Sequence, residues 1–236
     1  MGALGKAAGM ALETAYGLRA SSRRNRLRRK VRRAAWLVGA TVELDLPADL
    51  VVGKDVTVEV TPGSRSKVVL GPGSSVEDRV LLILQGGELL GGPRVEIRRD
   101  VVLNLAGTLR LDGDNPISWG SVVHCSHDIH LEPMAGVAEH CTLADSSHFF
   151  TTPDEHFWHN VKTGRIHVGR NTWICPKVTL TRSADVGSHC IVAAGSVVVG
   201  AVPDGHLATG VPAEVSPLAL PWAEARAAAQ ADSARA

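Results

Sequence analysis

The sequence predicts a solenoid of short β-strands, because apolar residues recur at every sixth position through its C-terminal half. One series is Val168, Ile174, Leu180, Val186, Val192 and Val198, and a companion series is Thr172, Val178, Ala184, Cys190 and Ser196. A period of six fits neither a helix nor an alternating strand, so the chain must turn a corner at each step. This spacing is typical of a hexapeptide β-helix.

The composition agrees with narrow coils. Of the 236 residues, 44% are hydrophobic but only 4% are aromatic, and 24 are glycine. The core volume therefore comes from Val, Leu, Ile and Ala, while Gly, Asn and Asp provide the corners. A single continuous solenoid is favoured over a globular mixed core.

The repeat extends upstream and is interrupted once. The same register runs backwards over Leu143, Val137, Leu131, Cys125 and Trp119, with Cys141, Ala135, Ile129 and Val123 as companions. Residues 113–203 are thus predicted to be the hexapeptide β-helix, and the strand-like segments of residues 41–112 are interpreted as irregular early coils. Residues 144–165 are polar and aromatic and fit no coil face, and such excursions often carry function.

Both ends are predicted to differ from the solenoid. Residues 1–40 contain ten Lys or Arg against one acid, Glu13, and predict a basic helical extension. Residues 204–236 are expected to leave the solenoid and to end in a short Ala-rich helix. These extensions would cap the two ends of the stack.

The arginine-rich run of residues 23–33 favours a solvated face or a subunit contact. An anionic membrane surface is the alternative partner, and nucleic acid is not expected. No apolar stretch approaches the roughly 18 to 20 residues that span a bilayer. The four cysteines form no CxxC pair and are interpreted as buried thiols in a reducing compartment. We expect a cytoplasmic protein, with peripheral attachment at the inner membrane face as the variant.

The C-terminal half resembles hexapeptide-repeat acyltransferases. The matching stretch runs from VGRNTWICPK to the exit GVPAEV, and CTLADSSHFF before it resembles the sugar O-acetyltransferase branch. The resemblance covers residues 117–216, most strongly after residue 141. It implies a left-handed parallel β-helix, a homotrimer with active sites between subunits, and acyl transfer from coenzyme A to a sugar hydroxyl.

The resemblance assigns the catalytic residues. His148 corresponds to the general base that deprotonates the acceptor hydroxyl, and imidazole titrates near working pH. Asp145 is a candidate to fix the His148 tautomer or to hold the acceptor. Both substrates are expected to bind together, without a covalent acyl-enzyme.

The resemblance also assigns the donor site, for acetyl-CoA or another acyl-CoA. Trp173 corresponds to a residue that lines the donor tunnel, and Ala193, Ala194 and Gly195 to a small-residue corner against the pantetheine arm. Two basic contacts of the family are absent, because the chain has Val199-Gly200-Ala201 and Glu214 at those positions. The phosphates would then be bound by Lys177, Arg182 or Arg170; an acyl carrier protein is the alternative donor.

For the acceptor, His156, Trp158 and Phe149 of the excursion are predicted to contact a sugar or glycoconjugate. Packing of these rings on a neighbouring subunit is the alternative.

Other functions stay open at this stage. They are N-acylation of an amino sugar, a trimeric scaffold without catalysis, and a γ-type carbonic anhydrase that uses His124, His127 and His130. The sequence lacks the His-x4-His pair of that last branch, so no metal is expected.

Overall fold

A computed structural model describes residues 21–218, in which an α-helix over residues 21–37 precedes a three-sided β-solenoid. Apart from one hairpin and the last strand, each strand pairs in parallel with the strand one coil later, so that every face is a stack of successive coils. The start of the predicted basic extension, residues 1–20, and the predicted C-terminal helix in residues 219–236 lie outside the described residues.

The three faces are named here A, B and C in the order in which the chain visits them. Face A comprises Thr41–Asp45, Arg65–Val69, Glu88–Gly91, Thr108–Leu111, Asp128–Leu131, Ile166–Val168, Asp185–Val186 and Ala201–Val202. Face B comprises Val51–Val52, Ser75–Val76, Glu96–Ile97, Pro116–Ile117, Gly136–Val137, Trp173–Ile174, Ile191–Val192, His206–Gly210 and Ala213–Pro217. Face C comprises Thr57–Val60, Leu81–Leu84, Val102–Leu105, Val122–Cys125, Thr142–Ala144, Thr179–Leu180 and Val197–Val198.

The hexapeptide repeat predicts the core. Every residue of the two series between 168 and 198 is at most 2% exposed. The polar members are satisfied inside: the Thr172 hydroxyl donates to the Gly187 carbonyl and accepts from the Cys190 amide, as burial of a polar group requires. The predicted fold class, a left-handed parallel β-helix, is confirmed.

The early coils are regular but longer than the late ones. Leu89 pairs with Leu109, and Leu109 pairs with Ile129, whereas Ile174 of a late coil pairs with Val192. An early coil is therefore longer than a late coil by two residues. The difference lies on face C, where an early strand buries two side chains instead of one, as Val123 and Cys125 show.

This longer coil corrects one predicted core position. Trp119 is 39% exposed at the corner between faces B and C, and the Arg99 guanidinium lies 4.4 Å from its ring centroid. Ile117 takes the inward position instead, because a strict period of six does not continue through the longer coil.

Two predicted boundaries also move. The excursion is narrower than residues 144–165: Ala144 belongs to face C, Asp145 is buried, and a hairpin of Ser146–Phe149 with Asn160–Thr163 forms the excursion itself. The solenoid extends past residue 203, because His206–Gly210 still pairs on face B. The antiparallel strand Ala213–Pro217 then covers that edge strand.

The helix covers the open N-terminal end of the stack. Leu27, Val31 and Ala35 recur along one side of it and are buried. Arg24 and Arg28 donate to the carbonyls of Pro47 and Leu46. The first coil has no coil beneath it, so these bonds replace the partners that its carbonyls would otherwise lack.

Adjacent residues of one strand test the core assignment. Leu103 is fully buried, whereas its neighbour Val102 faces outward and is half-buried. Replacing Leu103 with Ala should lower the free energy of unfolding by about 2 to 5 kcal/mol, because it leaves a cavity between coils. Urea denaturation of Leu103→Ala and of the control Val102→Ala would measure this. Equal losses in the two variants would contradict the alternation.

Candidate active site

The hairpin carries the predicted base away from the solenoid wall. His148 pairs with Val161 across its two strands and is exposed. The hairpin tip contains a 3-10 turn at Phe157–His159, where the His156 ring nitrogen accepts from the Trp158 amide. The turn folds the tip aromatics back towards the strand that contains His148.

Aromatic edges hold the His148 imidazole. Its ring centroid lies 4.9 Å from that of Trp158 and 5.8 Å from that of Phe157, both in edge-to-face geometry. His156 stacks on Phe157 at 4.7 Å. No carboxylate among residues 21–218 forms a hydrogen bond or ion pair with His148. The ring is thus oriented by packing and is open to solvent.

The Asp145 carboxylate contacts backbone amides and, among residues 21–218, forms no hydrogen bond with His148. The carboxylate is completely buried and accepts from the backbone amides of Ser126, His127 and Asp128 at 2.7, 2.8 and 2.9 Å. The Asp145 carbonyl accepts from the Gly164 amide at 2.8 Å. Asp145 therefore joins the two ends of the hairpin to the corner of the preceding coil.

A cavity of about 310 Å³ lies at the hairpin root. It is lined by Ala144, Ser146, Ser147, Thr181, Arg182 and Val199. The Arg182 Nε lies 3.4 Å from the Ser147 hydroxyl, and the Ser146 and Ser126 hydroxyls are 2.9 Å apart. The cavity therefore offers one cation and several hydroxyls, one residue away from His148.

The predicted donor residues form a second group. Trp173 projects outward from face B, 45% exposed. A Cβ at Gly136, in the coil below, would meet its ring at 2.8 Å. The missing side chain of Gly136 is what lets the indole lie flat along the solenoid wall, a suitable surface for an extended ligand.

The small-residue corner lies one coil above Trp173. The Ala193 and Gly195 amides donate to the carbonyls of Ala208 and Pro176, while the exposed Ala194 amide donates to no described residue. Lys177 has a positive φ at the equivalent corner of the coil below, as Gly195 does in its own. Trp173, Ala194 and Lys177 thus share one edge of the solenoid, and a ligand running along it fits the donor role.

Within one chain the donor residues and the hairpin residues lie on different edges of the solenoid. Lys177 lies at the corner between faces B and C, and Arg182 at the corner between faces C and A. They are five positions apart in the chain, which corresponds to about 16 Å at roughly 3.3 Å per residue. Arg182 therefore belongs with the hairpin rather than with the donor edge of its own chain.

The remaining predicted residues are scattered. His148 and Phe149 are strand neighbours and face opposite sides of the hairpin, and Phe149 lies under the Lys162 ammonium at 4.4 Å. The Arg170 amide donates to Glu132 at the corner between faces A and B, away from Lys177. Glu214 is exposed on the last strand.

The cysteines are unsuited to a covalent mechanism. Burial raises the pKa of the Cys125 thiol to about 12 and that of Cys141 to about 11. Burial likewise raises the pKa of Cys175 and Cys190. All four thiols are therefore protonated at neutral pH, and the nucleophilic thiolate is scarce.

The histidine cluster has ordinary structural partners. His130 binds Asp112 at 2.7 Å, and His124 lies 3.4 Å from Asn104. Within residues 21–218 no three His, Cys, Asp or Glu side chains are grouped to hold a metal ion. In the same range no helix is long and apolar enough to cross a membrane.

Comparison with known proteins places this geometry in context. No family model matches the chain. A probable acetyltransferase of Mycobacterium tuberculosis is 28% identical over 189 residues, which cover 78% of this chain and 55% of that protein. The chain thus spans about half the length of this relative. The resemblance to acetyltransferases is confirmed by this match.

One solved structure shares the fold at lower identity. A variant of AntD, an N-acyltransferase from Bacillus cereus, was solved with dTDP-4-amino-4,6-dideoxyglucose and coenzyme A. It is 16% identical with a TM-score of 0.51, over 80% of this chain and 92% of that one. The acetyltransferase domain of PglB from Neisseria gonorrhoeae is 20% identical with a TM-score of 0.41, over 82% and 66%. The first match supports the β-helix fold.

Sequence reasoning missed the cavity residues. Ser146, Ser147 and Thr181 meet only because the hairpin leaves and rejoins the wall at one corner. The two adjacent serines between Asp145 and His148 were a signal from which hydroxyl groups near His148 could have been predicted. The amide contacts of Asp145 had none, because their partners lie 17 to 19 residues earlier in the chain.

Replacing Asp145 with Asn tests its structural role. The amide retains one acceptor oxygen and turns a donor towards backbone N–H groups, so we expect a loss of about 1 to 3 kcal/mol in unfolding free energy. Hydrogen exchange of the amides of residues 126–128 should accelerate. His148→Asn should leave both quantities unchanged. Normal protection in Asp145→Asn would contradict the anchoring role.

Proposed function

We propose that this protein transfers an acyl group, most simply acetyl, from coenzyme A to a hydroxyl of a sugar or glycoconjugate, with His148 as general base. The observation that carries the proposal is that His148 lies on an excursion from a β-helix and follows directly after Ser147, which lines the cavity at the root of that excursion. The acetyltransferase relative in Mycobacterium tuberculosis supports this chemistry. Since the chain spans about half of that relative, the activity is assigned from this chain's own site.

The proposed reaction needs one base and no covalent intermediate. A His148 ring nitrogen takes the acceptor hydroxyl proton as that oxygen attacks the thioester carbonyl carbon. The carbon–sulfur bond then breaks, and the coenzyme A thiolate leaves with the proton from the imidazolium. The four protonated cysteines agree with direct transfer rather than with an acyl-cysteine. The edge contacts of Trp158 and Phe157 fix the ring and so replace an orienting carboxylate.

The donor is proposed to lie along the edge formed by Trp173, Ala194 and Lys177. The Trp173 face packs on the pantetheine arm, the Ala194 amide is available to an amide oxygen of the arm, and Lys177 offers a charge to a phosphate. An acyl carrier protein would present the same pantetheine arm. Such a carrier differs from coenzyme A in lacking the adenine nucleotide, so it is the alternative donor.

A complete site is proposed to need two copies of the chain. The donor edge and the His148 hairpin lie on different corners of one coil, so a neighbouring copy must bring its donor edge to the hairpin. Arg182 then joins Lys177 of the neighbour around the donor phosphates. Three copies close such a heterologous contact into a ring, in agreement with the homotrimer that the resemblance implies.

A hydroxyl acceptor fits the cavity better than an amine. The Arg182 guanidinium repels a protonated amino sugar, and the only buried carboxylate nearby among the described residues, that of Asp145, is fully used by backbone amides. A neutral hydroxyl needs no counter-ion. It also loses only one proton during the transfer, whereas a protonated amine loses two. Trp158 and His156 are proposed to stack on the sugar. The reaction is assigned to the cytoplasm, where acyl-CoA is found.

The matched variants His148→Ala and His159→Ala test the base. Both histidines are exposed on the same hairpin, but only His148 is next in the chain to a residue that lines the cavity, Ser147. Acetyl-CoA turnover with a panel of sugar hydroxyl acceptors should fall at least 100-fold in His148→Ala. It should stay within about threefold in His159→Ala, and donor binding should stay near normal in both.

Retained turnover in His148→Ala would remove this residue from the mechanism. Faster transfer to amino sugars than to their hydroxyl counterparts would overturn the acceptor assignment and favour N-acylation.

A further inference from the structure

The helix of residues 21–37 uses only part of its positive charge on its own chain. Arg24 and Arg28 donate to carbonyls of the first coil at 3.2 and 2.7 Å. Lys30 donates to the Val56 carbonyl at 2.6 Å. Arg26 and Arg29 form no hydrogen bond or ion pair with any residue from 21 to 218, and the same is true of Arg32 and Arg33. The exposed charge that remains is therefore available to an external partner.

These unused arginines share the outer side of the helix. Arg26, Arg29 and Arg33 follow one another at helical spacings of three and four, opposite the buried Leu27, Val31 and Ala35. All are exposed. The side of the helix that faces the solenoid is apolar and buried, while the opposite side is cationic. We call this opposite side the outer face, and it comprises Arg26, Arg29, Arg32, Arg33, Trp36 and Leu37.

The outer face ends in two exposed apolar side chains. Trp36 is 78% exposed and Leu37 is 62% exposed, the two largest values among the large apolar residues of the helix. Trp36 continues the row of Arg29 and Arg33 by one further helical step. Trp36 and Leu37 are adjacent, so they form an exposed apolar tip beside four cations. An indole is enriched where apolar chains meet charged headgroups.

The cationic character continues into a neighbouring cavity. A space of about 430 Å³ between the helix and the first coils is lined by Arg23, Arg26, Leu27, Lys30, Val52, Gly53, Lys54, Asp55 and Val56. Four of these residues are cations and one is an acid. This cavity favours a phosphate group at the flank of the outer face, where Arg26 belongs to both.

We propose that the outer face docks this protein on an anionic lipid bilayer. The arginines bind lipid phosphates, and Trp36 and Leu37 enter the boundary between headgroups and acyl chains. Nucleic acid would bind the charge but gives no reason for the apolar tip. A contact between copies would bury the tip but would also bring these like charges together, and it is an outcome of the test below. The helix lies on the surface rather than across it, since its buried side is committed to the solenoid.

The proposal does not depend on the acyl transfer proposed above. It places one end of the solenoid on the membrane and so gives the hairpin site a fixed position relative to lipid-linked acceptors.

Vesicle flotation of the full chain tests the docking. Binding to vesicles that contain two parts phosphatidylcholine and one part anionic phosphatidylglycerol should exceed binding to pure phosphatidylcholine. It should fall steeply as salt is raised from about 0.1 to 0.5 M, since screening shortens the reach of the charges. The variant Arg29→Ser/Arg33→Ser should bind about 30-fold more weakly, the ratio that corresponds to about 1 kcal/mol for each arginine.

The control variant Arg65→Ser/Arg110→Ser loses the same charge from exposed positions on the solenoid and should bind like the parent.

The tryptophan emission of the parent should shift to shorter wavelength on anionic vesicles, and Trp36→Phe should remove that shift. Parallel acetyl-CoA titrations separate a failure of docking from a failure of the transferase assignment.

Three results would overturn the proposal. They are equal binding to neutral and anionic vesicles, equal losses in the two charge variants, and dissociation of the native oligomer by Trp36→Ala. The last result, measured by light scattering, would show that the outer face is a contact between copies.

Discussion

The stacking of coils on one another is the constraint on which the rest of the structure depends. Each coil buries its inward side chains against the coils above and below and exchanges backbone hydrogen bonds with them in fixed register. A residue's position within its coil therefore determines both its face and its neighbours. The outward-facing groups need no contacts of their own to be held in place, which leaves their chemistry free for ligands.

The hairpin of Ser146–Phe149 with Asn160–Thr163 interrupts that stacking. A hairpin that leaves the wall loses the hydrogen bonds of its coil, and the buried Asp145 carboxylate replaces them with three charge-assisted bonds to the corner below. The anchor lies three residues before His148. The anchored Asp145 therefore restrains the His148 backbone through a short strand. The edges of Trp158 and Phe157 restrain the imidazole ring.

The two ends of the solenoid also need groups that replace a missing neighbouring coil. The first coil has carbonyls without a partner, and the basic helix supplies arginine and lysine donors to them while covering the apolar end. The last parallel strand on face B is covered by the antiparallel strand Ala213–Pro217. Stacked repeats require such ends, because an open coil is a template for association.

Much of the fold was predictable because the core obeys a local rule. The period of six identified the inward residues from Val168 to Val198, since each depends only on its position in the coil. Trp119 was misplaced because the early coils carry two extra residues on face C, which a fixed period cannot accommodate. The motif and the excursion predict His148 as the base, and this stays a prediction. The amide contacts of Asp145 were not predictable, because hydrogen bonds to backbone amides of an earlier coil leave no pattern in side-chain identities.

The central claim is that one solenoid edge binds an acyl-thioester donor. Calorimetric titration of acetyl-CoA into the protein, into Trp173→Ala and into the control Trp119→Ala tests it without knowledge of the acceptor. The two tryptophans are similarly exposed, but only Trp173 lies on the donor edge. We expect saturable micromolar binding at about one site per chain, weakened by Trp173→Ala and unchanged by Trp119→Ala. Absence of binding, or equal effects of the two substitutions, would contradict the account.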